Sequence, residues 1–358
     1  GFMSIEVKKN SQIFQDSNKT YYPEDEMEVS SVVKELYKKN LPTELIGTGS
    51  KSFIGNKIQS ANKLSLSKIS GIVEYLPEEL YIKVKANTPL EVIEKELEKN
   101  NQELAFEPID FGFIERGKSN IGTIGGYLSC NFSGSRRFKV GSARDHILGF
   151  RGVNGKGEVI KSGGTVVKNV TGYDLSKLVT GSFGTLVALT EVVLKVLPKK
   201  KLSNTIIIHT EDKKLVNELF EKISSSSSEV SGAVYIPDEP EDNDYNHNKE
   251  MIFKFNDLNS NGSFLGLRLE GDKVAIDEKT KTLTSELELN KMNTSILDLH
   301  QSVPFWKKIN NLELFTETKN NLLRAVIPPS KGNELMQKLG NKYKYYIDWC
   351  GSLYWIEV

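Results

Sequence analysis

The feature that most constrains the fold is a glycine-dense stretch over residues 121–198. It opens with Gly122-Thr123-Ile124-Gly125-Gly126, and further glycines follow at positions 134, 141 and 149 between apolar runs. Glycine is favoured where the backbone turns sharply or approaches a ligand closely. A loop of the same character covers residues 47–52. Two such loops on one scaffold favour a long, phosphate-bearing ligand over a small metabolite.

Composition narrows the class of protein. The 358 residues include 47 basic and 47 acidic side chains, and this balance argues against wholesale nucleic-acid binding. No apolar run approaches the roughly 20 residues that span a bilayer, and no secretory signal is visible, so we expect a cytoplasmic protein. Two cysteines and four histidines without ligand spacing predict neither a disulfide framework nor a metal site.

Periodicity predicts an α+β fold in two domains. Helical spacing over 29–40, 213–223 and 273–289 is mixed with strand-like runs such as 43–46, 80–86 and 186–197, without strict βαβ alternation. Asn154-Gly155-Lys156-Gly157 predicts a hairpin turn, and Thr88 is predicted to cap a helix that starts at Pro89. The charge run at 198–201 predicts a connector. We therefore place the domains at 3–200 and 201–358, leaving Gly1 and Phe2, which precede Met3, out of the fold.

The upstream loop does not match two common phosphate-binding motifs. A Rossmann fingerprint requires a helix directly after the loop, and Phe53-Ile54-Gly55-Asn56-Lys57 does not open one. The Gly-Lys-Ser/Thr ending of a P-loop is also absent. An anion-binding nest of backbone amides remains, with an ordinary surface turn as the alternative.

Three arginines, Arg136, Arg137 and Arg144, are candidates for binding a substrate carboxylate, because a guanidinium can hold a carboxylate through two hydrogen bonds. The alternatives are plain surface charge or pairing with Asp145. Lys168 and Asn169 precede a predicted helix and could either face a reactive centre or belong only to the helix start. Among these we select Arg137, with Lys168 and Asn169, as candidate catalytic residues.

The same segments resemble the FAD-binding domains of vanillyl-alcohol-oxidase (PCMH) type, and among them the FAD-binding subunits of bacterial glycolate oxidases (glycolate dehydrogenases). The resemblance rests on the 47–52 loop, Glu107-Pro108, residues 123–126, 133–137 and 144–149, and Lys168-Asn169-Val170-Thr171-Gly172-Tyr173-Asp174-Leu175. Asp348-Trp349 and Gly351 near the end add to it. It is strong over about 25–200 and weak beyond.

This resemblance implies a PCMH-type domain of two α+β subdomains, split near 105–120, and a smaller C-terminal α+β domain. FAD would bind without a covalent bond, since the first loop has no histidine. The loop at 47–53 would hold the pyrophosphate, and the 122–126 turn with Pro108 would lie along the ribityl chain and the ring. The cofactor-binding residues implied are Gly47, Thr48, Gly49, Ser50, Lys51, Ser52, Phe53, Pro108, Gly122, Thr123, Ile124, Gly125, Gly126, Ser129, Gly134, Ser135, Gly141, Ser142, Asp145 and Val187.

The resemblance further implies oxidation of glycolate to glyoxylate by hydride transfer to the flavin. Electrons would pass to an iron–sulfur subunit in a complex that also holds a second flavoprotein subunit, placed in the cytoplasm or peripherally at the inner membrane. Related 2-hydroxy acid dehydrogenases carry a His-rich metal motif that this chain lacks. Two alternatives therefore stay open. One is a stand-alone FAD dehydrogenase of another 2-hydroxy acid or a sugar lactone, and the other is a non-catalytic assembly subunit.

Overall fold

The computed structural model describes residues 19–41, 43–46, 62–108, 122–130, 134–136, 143–163, 187–238, 249, 252–253, 262–315 and 320–358. The strands within them are β1 Thr20–Tyr21, β2 Thr43–Ile46, β3 Asn62–Ser65, β4 Ile72–Leu76, β5 Tyr81–Lys85, β6 Gln102–Leu104, β7 Ile147–Asn154, β8 Val159–Gly163, β9 Val187–Pro198, β10 Leu202–His209, β11 Gly232–Ile236, β12 Phe264–Gly271, β13 Asn293–Leu297, β14 Leu322–Val326, β15 Tyr345–Asp348 and β16 Leu353–Glu357. The helices are α1 Glu26–Lys38, α2 Leu90–Glu98, α3 Ile124–Cys130, α4 Lys213–Ser225, α5 Lys273–Glu286, α6 Leu299–Asn310 and α7 Gly332–Leu339.

A small parallel sheet in the order β1-β3-β2 begins the fold. Helix α1 packs beside it, and its buried Val29 joins Leu64 of β3 in a small apolar cluster with Val153 and Ala188. The carboxylate of Asp25 accepts a hydrogen bond from the amide of Glu28 at 2.8 Å and so caps α1. Strand β2 confirms the short strand predicted before the first glycine loop.

The second sheet is antiparallel, in the order β4-β5-β9-β7-β8, with β6 paired to the end of β9. The predicted hairpin is confirmed, because Asn154 and Gly157 close the turn between β7 and β8. Strands from both sides of 105–120 belong to this one sheet, so the sheets of the N-terminal part (residues 19–198) divide between β3 and β4 and not near 105–120.

The C-terminal part (residues 202–358) holds a seven-stranded antiparallel sheet in the order β13-β10-β12-β11-β15-β16-β14. Both faces of its central strands are covered. Ile206 and Ile208 of β10 face the cluster under α4, α5 and α7, whereas Ile207 between them faces a cluster that continues into the N-terminal part. This period-2 alternation also places Arg268 and Glu270 of β12 on the face toward the N-terminal part.

One local expectation was wrong, and one helix was missed. Helix α2 begins at Leu90 with Pro89 as its cap, and the hydroxyl of Thr88 donates instead to the carbonyl of Lys85 at 2.6 Å. The hydroxyl serves the β5–α2 connection and leaves the helix start uncapped by a side chain. Helix α6 was not predicted, although Asp298 and Gln301 form a capping box at its start.

Candidate functional site

The glycine turn at 122–126 is fixed against the β5–α2 connection. The amides of Ile124 and Gly125 donate to the carbonyls of Thr88 and Ala86 at 3.0 and 2.8 Å. A Cβ at position 125 would lie 2.7 Å from the carbonyl oxygen of Ala86, closer than any side chain tolerates. Gly125 is therefore required by close packing within the protein.

Other groups of this turn also have contacts inside it. The hydroxyl of Thr123 accepts from the amide of Gly126 at 3.3 Å, and a Cβ at Gly122 would collide with the ring of Tyr127. The result is a rigid turn whose position is set by β5 and α2. Its role toward a cofactor stays a prediction.

A second feature, which we call the neck, consists of Glu107 and residues 134–136. The amide of Gly134 donates to the carbonyl of Glu107, and the amide of Arg136 donates to its carboxylate at 2.9 Å. A Cβ at Gly134 would lie 2.8 Å from the Glu107 carbonyl oxygen. The neck thus joins the two ends of the stretch 108–133, which contains the glycine turn.

Besides two ion pairs, three side chains of the C-terminal part form hydrogen bonds with the neck. Asn310, at the end of α6, accepts from the amide of Ser135 at 3.2 Å and donates to the Glu107 carboxylate at 2.8 Å. Asp348 accepts from the Ser135 hydroxyl at 2.8 Å, and the indole of Trp349 donates to the carbonyl of Gly134 at 2.9 Å. The described hydrogen bonds of Gly134 and Ser135 therefore run to Glu107 and to the C-terminal part, and their contact with the cofactor stays a prediction.

Two ion pairs join the neck to the C-terminal part, and in each the partner from the C-terminal part is buried. Arg268 donates to both carboxylate oxygens of Glu107, at 2.7 and 3.1 Å, and its guanidinium lies 4.7 Å from the centre of the Trp306 ring. Arg136 donates to both oxygens of Glu270, at 3.0 and 2.6 Å. Paired, parallel hydrogen bonds of this kind are the strong form of the contact.

The electrostatics of the ion pairs keep them charged. Burial alone raises the pKa of Glu107 and of Glu270, but the guanidiniums of Arg268 and Arg136 outweigh it and hold both pKa values below the ordinary range. Burial lowers the pKa of Arg136, and the carboxylates around it more than reverse that effect. Glu103, 3.6 Å from Arg136, differs from these two acids. For Glu103 the effect of burial outweighs the lowering by Arg136, so its pKa lies above the ordinary value.

Asp348 stands out among the acids. Burial raises its pKa to about 7, which outweighs the lowering by hydrogen bonds from the Trp349 amide and the Ser135 hydroxyl. Glu107 adds to the rise and Arg268 opposes it. A carboxyl group that titrates near neutrality therefore sits where the two parts meet.

The structure corrects one arginine hypothesis. Arg136 was a candidate for binding a substrate carboxylate, but its half-buried guanidinium is paired with Glu270, not with Asp145. Arg268, Glu270, Asn310 and Asp348 were missed as members of this region. A signal for two of them was present, because Arg268 and Glu270 interrupt an otherwise apolar strand on alternate positions, where a buried charge requires a partner.

The other predicted site residues fall into two groups. Pro108 is half-buried, Asp145 is exposed, Ser129 lies in α3, and Val187 is buried at the start of β9 opposite Asn154. The remaining predicted residues lie outside the described ranges: Gly47, Thr48, Gly49, Ser50, Lys51, Ser52, Phe53, Arg137, Gly141, Ser142, Lys168 and Asn169.

Neither a metal-binding cluster nor a membrane span is found in the described part of the chain. The residues that the structure describes contain no group of three or more His, Cys, Asp or Glu side chains suited to a metal ion. No helix in those same ranges is long and apolar enough to cross a membrane.

The arrangement of strands in the N-terminal part fits an FAD-binding domain. The predicted pyrophosphate loop starts at the carboxyl end of β2, the end of a parallel strand at which ligands commonly bind. A family model described as an FAD binding domain matches residues 18–163. Among solved structures, p-cresol methylhydroxylase aligns with a TM-score of 0.70 at 15% identity, covering 95% of this chain and 74% of that one. An alkyldihydroxyacetonephosphate synthase aligns with a TM-score of 0.68 at 17% identity, covering 94% and 66%. The chain therefore has the fold of PCMH-type FAD enzymes.

Sequence comparison gives the family within that class. The chain is 30% identical over 326 residues to the glycolate oxidase subunit GlcE of Escherichia coli K12, covering 91% of this chain and 78% of GlcE. The chain belongs to the family of the glycolate oxidase subunit GlcE. This confirms the resemblance seen in the sequence and FAD as the cofactor. It is also 38% identical over 114 residues to glycolate oxidase subunit GlcD of Bacillus subtilis and 32% identical over 187 residues to D-lactate dehydrogenase of Anaerostipes hadrus. Those matches cover only 22% and 37% of the two relatives.

Proposed function

We propose that this chain is the FAD-binding subunit of a complex that oxidises glycolate to glyoxylate. The supporting observation is the likeness to GlcE, which extends over 91% of the chain and so includes the C-terminal part. The partial likeness to D-lactate dehydrogenase, over 52% of the chain, favours a second candidate, a dehydrogenase of another 2-hydroxy acid.

Bound FAD would supply the acceptor for the substrate hydride at N5 of its ring. The chain's own task is to hold the ring, orient the substrate and exclude water. We propose that the 47–53 loop holds the pyrophosphate, that the 122–126 turn and Pro108 lie along the ribityl chain and ring, and that Arg137 binds the substrate carboxylate. Lys168 and Asn169 are the candidates for contacts near the ring. Arg136 is not a second carboxylate ligand, since Glu270 already occupies its guanidinium.

The partners belong to the same proposal. Likeness to two glycolate oxidase subunits, GlcE and GlcD, supports assembly with a second flavoprotein subunit. Electrons would leave through an iron–sulfur subunit, and any attachment to the inner membrane would run through the complex. Non-covalent FAD is expected as well, and acid precipitation checks it, because a dissociable flavin stays in the supernatant. We also propose domains at 3–200 and 201–358, consistent with β9 and β10 lying in different sheets.

The decisive experiment is anaerobic reduction of the purified chain, followed by its visible spectrum. Yellow protein bleached by glycolate alone supports direct oxidation, and bleaching that requires the partner subunits supports the complex. Faster bleaching by D-lactate than by glycolate, with or without partners, would assign the second candidate. A colourless chain that still binds its partners would make it an assembly subunit.

A further inference from the structure

The neck is held from outside the FAD-binding domain. The matched domain ends at residue 163, whereas Asn310 and Trp349, which bond the neck, lie far beyond it. Four backbone groups of residues 134–136 have described hydrogen-bond partners, and two of these partners are the side chains of Asn310 and Trp349. Most backbone groups of this segment, which has no regular secondary structure, are therefore paired within the protein.

The turn that presents Trp349 is itself strained. Trp349 and Cys350 have φ of 49° and 53°, and Gly351 follows with 101°. Consecutive left-handed residues with side chains are uncommon, and strained backbone persists only where the surroundings enforce it. Here the Asp348 carboxylate accepts from the Trp349 amide at 2.7 Å while the indole reaches Gly134. The strained backbone at Trp349 therefore accompanies the hydrogen bond from its indole to the neck.

We propose that Asn310 and Trp349 are positioning residues for FAD: by fixing the neck they hold in place Pro108, Gly134 and Ser135, three of the predicted cofactor-binding residues. The proposal rests on FAD binding, not on the substrate. The neck joins the two chain segments that carry these residues, and the contacts with Ala86 and Thr88 separately anchor the glycine turn. Loosening the neck lets these three residues shift in the apoprotein, so part of the FAD binding energy must be used to fix them again.

The test measures the dissociation constant of FAD for the full-length apoprotein by flavin fluorescence, well below the unfolding temperature. Trp349→Phe keeps an aromatic ring and removes the indole donor, and Asn310→Ala removes the hydrogen bonds with Ser135 and Glu107. Each is expected to raise the dissociation constant about tenfold, the size expected for one hydrogen bond. Trp355→Phe makes the same chemical change on β16, and Leu283→Ala destabilises the core under α5.

Both control variants are expected to change the dissociation constant less than about twofold. Dissociation constants within about twofold of the wild type for Trp349→Phe and Asn310→Ala would overturn the proposal. An equal loss in Leu283→Ala at matched stability would also overturn it, because general destabilisation would then explain the effect. The proposal would also be overturned if the wild-type chain showed no measurable FAD binding. Failure to oxidise glycolate leaves the measurement intact, so the two proposals fail separately.

Discussion

Replacing Arg268 with methionine is the most direct perturbation of the contact between the two parts. The side chain is 4% exposed and makes two hydrogen bonds to Glu107, whose carboxylate is 17% exposed. Removing one partner of a buried ion pair costs about 3–5 kcal/mol, because the other charge stays buried. Glu107 keeps donors from Arg136 and Asn310, so we expect the lower end, about 3 kcal/mol of unfolding free energy.

A double-mutant cycle tests the cause of this loss. Glu107→Gln removes the stranded charge, so the pair Glu107→Gln and Arg268→Met should lose about 2 kcal/mol less than the sum of the single losses. Urea unfolding followed by tryptophan fluorescence is suited to the measurement. All three tryptophans of the chain, Trp306, Trp349 and Trp355, are buried in the C-terminal part.

The matched control is an exposed pair. Lys95 and Glu91 lie 2.8 Å apart on the surface of α2, and Lys95→Met should leave the unfolding midpoint unchanged within error. If Arg268→Met behaved like Lys95→Met, or if the two single losses were simply additive, the buried pair would not join the two parts energetically and the reasoning would be refuted.

Three further predictions concern single positions. Gly125→Ala should destabilise the protein by about 1–3 kcal/mol in thermal unfolding, because its Cβ meets the Ala86 carbonyl, whereas Gly155→Ala, with open space around it, should not. Burial raises the pKa of Asp348 from 3.8 to about 7, so the folded state keeps a proton that the unfolded state releases; stability should fall between about pH 4 and 7, and urea titrations of Asp348→Asn should lack that fall. Arg137→Lys should raise KM for glycolate at least about tenfold in steady-state kinetics with nearly unchanged FAD affinity, and an unchanged KM would reject the carboxylate role.

Local patterns predicted the local structure well. The Asn154–Gly157 turn and the strand before the first glycine loop follow from short-range chemistry and are present in the fold. Helix α6 was missed because its apolar positions are interrupted by Pro304, although its capping box is visible in the sequence. Glycine density predicted a tight turn at 122–126, and at Gly125 the cause is the close contact with the Ala86 carbonyl.

The contacts between the two parts were beyond prediction from one sequence. Arg268 pairs with Glu107 across 161 positions, and Arg136 pairs with Glu270 across 134. Nothing in local spacing selects those partners among 47 basic and 47 acidic residues. Alternation along β12 puts both charges on one strand face, but only the packing of the two parts decides which residues meet them there. The sequence therefore could not distinguish the role of Arg136 from that of Arg137, although Arg136 forms an ion pair with Glu270.

Buried charge at this contact is better explained by geometry than by stability. Well-packed apolar residues would stabilise the junction as much or more, since desolvation offsets much of the attraction of a buried ion pair. Apolar surfaces can slide against each other, whereas the paired hydrogen bonds of Arg268 with Glu107 and of Arg136 with Glu270 fix distance and direction together. Both pairs end on the neck, which closes the stretch with the glycine turn. A contact that only had to hold the two parts together would not require such directional hydrogen bonds. Their position therefore indicates that the two ion pairs maintain the alignment of the two parts.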